Sequence, residues 1–293
     1  MNKIRFFIFL MCTADAMAQC NPIPGADALW SNRNLHWIFV GEMHGTNETP
    51  AEFANLVCDA LVHGKHVTVG LEHLPNEESA INDLLTAKDP SEAQSELLHK
   101  NLWNGAPSMQ GRSSKAMLKM ILSMREMHQR YEHLRVVTFD IGFDPTQGPG
   151  ARDEAMGKEL LRIGNERPED LIVILSGNFH AMQEQKLGYP FMAMFVPAER
   201  RISLEVTDWG GSSWTEINGR CGPNEGAAVG DKNKHLSRDI FLDASLAPFG
   251  KVDGVLSLGA KLTASAPANE EPNPLPECRL KYLNALKQKT TGK

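Results

Sequence analysis

Three carboxylates and three imidazoles stand directly behind apolar runs in this sequence. Glu42 and His44 follow Leu35-His-Trp-Ile-Phe-Val-Gly41, and Glu72 and His73 close His66-Val-Thr-Val-Gly-Leu-Glu72. Asp140 closes Leu134-Arg-Val-Val-Thr-Phe-Asp140, and Gly177-Asn178-Phe179-His180 follows Leu171-Ile-Val-Ile-Leu-Ser176. Charged side chains are rarely buried without partners, so an acid at the end of three successive apolar runs points beyond turn punctuation. Gly-x-x-His also occurs twice, at Gly41–His44 and Gly177–His180. The set supports two chemistries. His44, Glu72 and His180 are candidate ligands for a divalent metal with an open position, which turns bound water into hydroxide. Without metal, His44 acts as general base on water, oriented by Glu42 or Glu72, and His180 supplies a second acid–base group or meets developing negative charge. Either route is hydrolysis of a carbonyl or related bond, with Glu42, His44, Glu72 and His180 as the catalytic candidates. His73, Asp140 and Asn178 are binding candidates beside them, and Arg152 opens a helix that aims a clamp at the same edge. Gly-x-Ser-x-Gly, Gly-x-Gly-x-x-Gly and Walker loops do not occur in the sequence, so no serine elbow or phosphate cradle is read from it.

The elements that must position these residues follow from periodicity. Residues 35–41 and 66–72 read as buried strands. Between them Thr49-Pro50 opens a helix, with Phe53, Leu56, Val57, Ala60 and Leu61 at helical spacing. Strand, helix and strand form a βαβ unit, whose strands run parallel with a right-handed crossover. From Asn76 to Glu132 the chain reads as a helical insertion. Ile81, Leu84 and Leu85 mark one helix, and Lys115 to Tyr131 a longer one whose methionine stripe reads as core. The loop Asn104–Gly111 is a candidate lid. Strand grammar resumes at 134–140, a Gly/Pro loop leads to a helix near Ala151–Asn165, and 171–176 is a continuous apolar strand. Further strands are expected at Phe191–Val196, Ile202–Val206 and Val255–Leu258. Residues 207–250 show little periodicity, and Ala264–Glu277 is a Pro-rich tail that wraps the surface. The expected fold class is α/β: a mainly parallel central sheet flanked by helices, with a helical insertion at 76–132 and an irregular C-terminal extension over 264–293. Open parallel sheets bind ligands outside the carboxyl ends of their strands, where all these acids and imidazoles are expected to meet.

The first eighteen residues stand apart from this fold. Lys3 and Arg5, the apolar Phe6–Cys12 and Ala16-Met17-Ala18 have the order of a secretory signal peptide cleaved before Gln19. The single α/β domain then spans 19–293, and the location is periplasmic or secreted. Of the five cysteines, Cys20, Cys58, Cys221 and Cys278 remain after cleavage; the expected disulfides are Cys20–Cys58 and Cys221–Cys278, each pinning a terminal segment. The net charge of −6 offers no attraction to nucleic acid, and no apolar run is long enough for an integral membrane segment after signal removal. The partner is a small-molecule or peptide substrate.

At these motifs the sequence resembles the superfamily that joins erythromycin esterases, the Tiki and TraB proteins and the ChaN haem-binding lipoproteins. The resemblance rests on Gly41-Glu42-Met43-His44-Gly45-Thr46-Asn47-Glu48, on Glu72, on Arg152-Asp153-x-x-Met156 and on Gly177-Asn178-Phe179-His180-Ala181, within about 35–182. It implies a parallel-sheet core with the active edge at the strand ends. From the esterase branch it implies His44 as base for water, with Glu42, Glu72 and His180 in support. From the Tiki branch it implies a divalent metal on histidines and a glutamate for peptide cleavage. From the ChaN branch it implies haem or iron binding at a shared surface without catalysis; as a binding module the chain would take haem iron on an exposed methionine, histidine or tyrosine.

Overall fold

Strands buried on both faces need apolar side chains in every position, and helices laid on a sheet need an apolar stripe. The chain meets both demands in the order expected of an α/β protein. The computed structural model describes residues 20–105, 110–142, 144, 146–185, 187–217, 219–225, 235–270 and 276–291. The signal peptide expected at 1–18 and residues 106–109 of the candidate lid lie outside the described residues. In chain order the elements are α1 (Asp27–Trp30), β1 (Trp37–Glu42), α2 (Glu48–Val62), β2 (Val67–Leu71), α3 (Pro75–Thr86), α4 (Pro90–Leu98), α5 (Asn101–Asn104) and α6 (Lys115–His128). They continue with β3 (Leu134–Thr138), α7 (Ala151–Glu166), β4 (Leu171–Gly177), α8 (Asn178–Ala181), β5 (Arg201–Thr207), β6 (Ser212–Ile217), β7 (Arg220–Glu225), β8 (Asp239–Phe241), β9 (Gly254–Ser257) and α9 (Glu277–Thr291).

Among the described residues the main sheet has seven strands in the order β3-β2-β4-β1-β5-β9-β8, all parallel except β8 at one edge. β1 and β2 are parallel as the βαβ pattern requires, but they are not neighbours: β4 pairs with both. Its apolar side chains are suited to the centre, where both faces are covered. The registers Glu42↔Gly177, Leu71↔Leu175 and Leu71↔Thr138 end four strands at one level. That level places Glu42, Glu72, Asp140 and the Gly177–His180 turn side by side.

One face of the sheet packs on α2 and α6. Ile38, Val40, Phe53, Leu56 and Val57 share its core with the buried stripe Met117, Met120, Ile121 and Met124. The other face packs on α7, where Met156, Leu160 and Ile163 meet Trp37, Phe39, Ile172 and Ile174. Helices of the two crossovers lie on opposite faces because the chain moves across the sheet in opposite directions from β1 to β2 and from β3 to β4. Right-handed crossovers then fall on opposite sides.

The structure differs from the expectations at three places. Phe191–Val196 is not a strand: Met192–Phe195 is a 3₁₀ turn. The place beside β1 belongs to β5, and the Met192 amide donates to Asp153 Oδ1 at 2.9 Å instead of to a ladder. The weakly periodic stretch 207–250 contains the antiparallel hairpin β6–β7 and the edge strand β8. The dipeptide Asn218-Gly219 is the hairpin signal that was available there. The C-terminal extension also carries a helix, α9, which few apolar residues mark.

Disulfides join Cys20 to Cys58 on α2 and Cys221 on β7 to Cys278 on α9. Two such bonds suit an oxidising compartment. Residues 262–268 form a strap, with bridges Thr46↔Ala264, Ser114↔Pro267 and Gly211↔Leu262 tying together the starts of α2 and α6. No helix among the described residues is long and apolar enough to cross a membrane.

Candidate active site

A cleft of about 390 Å³ opens over the carboxyl ends of β1, β2 and β4, and Glu42, His44, Glu72, Arg112, Arg152 and His180 reach it. The local chain explains how. Glu42 is the last residue of β1, and the turn after it brings His44 back over the strand end. Gly45 has φ +81°, and a Cβ there would lie 1.9 Å from the Trp214 carbonyl oxygen, so only glycine lets the β6–β7 hairpin close on this turn. Gly177 brings β4 equally close: a Cβ on it would stand 3.1 Å from His44 Nε2.

His44 sits between two acids. Its Nδ1 is 2.9 Å from Glu42 Oε1, and its Nε2 is 3.5 Å from Glu72 Oε2. The imidazole is 22% exposed while both carboxylates are buried. Burial alone would lower the His44 pKa, but the charge of Glu72 and the hydrogen bond to Glu42 outweigh it and raise it to about 9. Glu42 moves upward because burial outweighs its His44 contact, and its Oε2 is buried with no hydrogen-bond partner. The Glu42–His44 pair therefore holds a proton well into the alkaline range.

Glu72 is the hub. Its Oε2 accepts from the Gly177 amide at 2.8 Å, and its Oε1 from Arg152 Nη2 at 2.6 Å and Arg112 Nη1 at 3.3 Å. Burial pulls its pKa upward, but the positive charge gathered around it, His44 and Arg112 included, holds the carboxyl well below the usual range. Asp140 stands behind the arginines, fully buried. It takes Arg112 Nη1 at 2.6 Å, Arg152 Nε at 2.8 Å and Arg152 Nη2 at 2.8 Å. Against burial, Arg152 and Arg112 keep its pKa low. Arg152 in turn is raised, the hydrogen bond to Asp140 and the charge of Glu72 overcoming burial.

His180 lies on α8 with Nδ1 2.7 Å from Asp153 Oδ1 and Nε2 3.1 Å from Arg152 Nη1. A guanidinium only donates, so Nε2 accepts here and the proton sits on Nδ1, facing Asp153. Asn178 lines the cleft with its Oδ1 buried and without a partner.

The fold thus brings Glu42, His44, Glu72, Arg152, Asn178 and His180 to one cleft, with Asp140 directly beneath. His73 goes elsewhere. It is buried with Nδ1 3.0 Å from Glu77 Oε2 and its ring against Trp103, and it does not line the cleft. Adjacent residues leaving a strand point in different directions, so Glu72 and His73 part. Two contributors escaped the sequence reading. Arg112 comes from the helical insertion, where nothing local distinguishes it from a surface arginine. Asp153 belongs to the motif Arg152-Asp153-x-x-Met156, but no role was read for it.

The donor set does not fit a divalent metal. Glu72 already serves two guanidiniums and an amide, and two arginine charges adjoin the place a dication would take. Both ring nitrogens of His44 face carboxylates, and both of His180 are engaged, so neither imidazole fits haem iron. Elsewhere, Glu216 approaches Cys221 and Cys278, but those sulfurs form a disulfide.

No protein-family model and no curated protein matches the sequence. Solved structures share its fold. An erythromycin esterase in its open conformation aligns with TM-score 0.60 at 9% identity over 82% of this chain and 93% of its own. A Bacillus cereus protein aligns with TM-score 0.60 at 11% identity, covering 86% and 96%. A succinoglycan biosynthesis protein aligns with TM-score 0.52 at 10% identity, covering 80% and 90%. The chain is similar to these structures in fold, as the motifs implied.

Proposed function

We propose that the cleft is the active site of an exported, metal-independent hydrolase of ester or amide bonds. The observation that carries this reading is the partly open imidazole of His44, held at Nδ1 by Glu42 and facing Glu72 with Nε2. In the proposed step a water oxygen attacks the substrate carbonyl carbon while His44 Nε2 takes its proton. Glu42 Oε1 accepts the Nδ1 hydrogen bond throughout and fixes the tautomer. Arg112 and Arg152 line the same cleft and meet the negative charge that develops on the carbonyl oxygen. When the tetrahedral intermediate collapses, the C–O or C–N bond breaks and His44 returns its proton to the leaving group.

With a His44 pKa of about 9, only about 1% of the rings are basic at neutral pH. Turnover per molecule therefore climbs as pH rises toward 9. The test is hydrolysis of p-nitrophenyl butyrate by the wild type and by His44→Ala, with circular dichroism to check the fold. Loss of turnover in a folded variant supports the role, and unchanged turnover removes it. The fold shared with an erythromycin esterase supports an esterase over a carrier of haem. Export rests on the signal-like residues 1–18 and the two disulfides; intact-mass analysis of the product should show a chain beginning at Gln19.

A further inference from the structure

The charges of the cleft are already spent on one another. Arg152 contacts Asp140, Glu72 and His180, and Arg112 contacts Asp140, Glu72 and Gln110. The His44 ring lies between two carboxylates. A substrate group carrying a full charge would lose its hydration on entry, and with each arginine already shared between Asp140 and Glu72 it would regain less than it lost.

The remaining wall is mainly apolar: Met43, Phe179 and Phe249 line the cleft with the buried Met182, beside Asn178 and Thr215. Phe179 is the unusual member. It is 52% exposed, directly before His180, at the mouth of the cleft. Its ring is backed by buried Phe191, 6.0 Å away, which meets Tyr189 edge-on at 5.6 Å. An aromatic ring supported from behind and open in front is a ready contact surface, because little side-chain entropy remains to be lost on binding.

Resting on the hydrolase reading, we infer that the substrate is a neutral ester or amide with an apolar acyl or alkyl part, seated on Met43 and Phe249 and covered at the mouth by Phe179. Polar atoms of the floor then act on the scissile bond alone, and affinity comes from apolar area. Selection by size follows from the cleft volume of about 390 Å³.

The test avoids turnover. Protein carrying ¹³C-methyl methionine is titrated with straight-chain 2-alkanones of increasing length, and with carboxylates of matching length. The Met43 methyl signal should shift, with the methionines outside the cleft as controls. Affinity should tighten about fourfold per added methylene while the chain fits. Phe179→Ala, a change at an exposed position, should weaken the longest ketone about tenfold and leave the shortest unchanged. Affinity independent of chain length, tighter binding of the carboxylates, or no response from Met43 would overturn the inference. Chain-length-dependent binding without hydrolysis of the matching methyl esters would leave the apolar seat standing and remove the hydrolase reading instead.

Discussion

Replacing Glu72 with glutamine should release the proton that His44 holds. Glu72 Oε2 lies 3.5 Å from His44 Nε2, and its charge is the largest influence raising that imidazole from 6.5 to about 9. At that separation, with an effective dielectric near 20, the attraction is on the order of 5 kcal/mol before the cost of burial is set against it. Removing it is more than enough to cancel a displacement equivalent to about 3 kcal/mol. Glutamine keeps an oxygen for the Gly177 amide, and Asp140 continues to hold both arginines, so the backbone around the ring has no reason to move. The two guanidinium charges, now less neutralised, push the ring the same way. The midpoint should fall by at least one pH unit, to 8 or lower. Nitrogen-detected NMR of the imidazole across the alkaline range reads this directly and needs no substrate. A midpoint in Glu72→Gln within half a unit of the wild type would refute the electrostatic account of the site. It would also leave the slow neutral-pH turnover of the proposed mechanism without a cause.

Three further outcomes follow from the same geometry. Because the folded pKa of His44 is raised, its contribution to stability is complete below about 6.5 and fades as pH rises through about 9; Glu72, held low, contributes above its ordinary value near 4.5 and is lost on acidification. Thermal melts should therefore show the wild type losing about 2.5 kcal/mol between pH 7 and 10 relative to His44→Ala. Arg152→Ala leaves Glu72 and Asp140 buried with only Arg112 between them and should cost about 3–5 kcal/mol in urea unfolding, with Arg152→Lys recovering little of the forked contact. Gly45→Ala combines a left-handed backbone with a clash against the Trp214 carbonyl and should cost about 1–3 kcal/mol, detectable in the same unfolding experiment.

The legible part of the site was legible for a local reason. An acid or imidazole directly after a continuous apolar run announces itself, because the run must be a strand and its end must be a sheet edge. Glu42, His44, Glu72, Asp140 and His180 were found that way. Arg112 could not be found, since it reaches Glu72 across 40 positions of chain from a helical insertion with no strand behind it. His73 misled for the opposite reason: it adjoins Glu72 in the chain, yet it turns inward to Glu77. Phe191–Val196 has strand composition, but its neighbours in space had already filled the ladder.

Local order along the chain thus determined the strands, the main helices and the kind of chemistry at their ends, since periodicity and strand termination involve only neighbouring residues. Strand order, the central place of β4, and the choice between metal and arginine were decided in three dimensions. The last is the decisive one: carboxylates with histidines describe a metal site until two guanidiniums, distant in sequence, occupy the same oxygens. Charge pairing depends on distance in space, and no spacing along the chain records it.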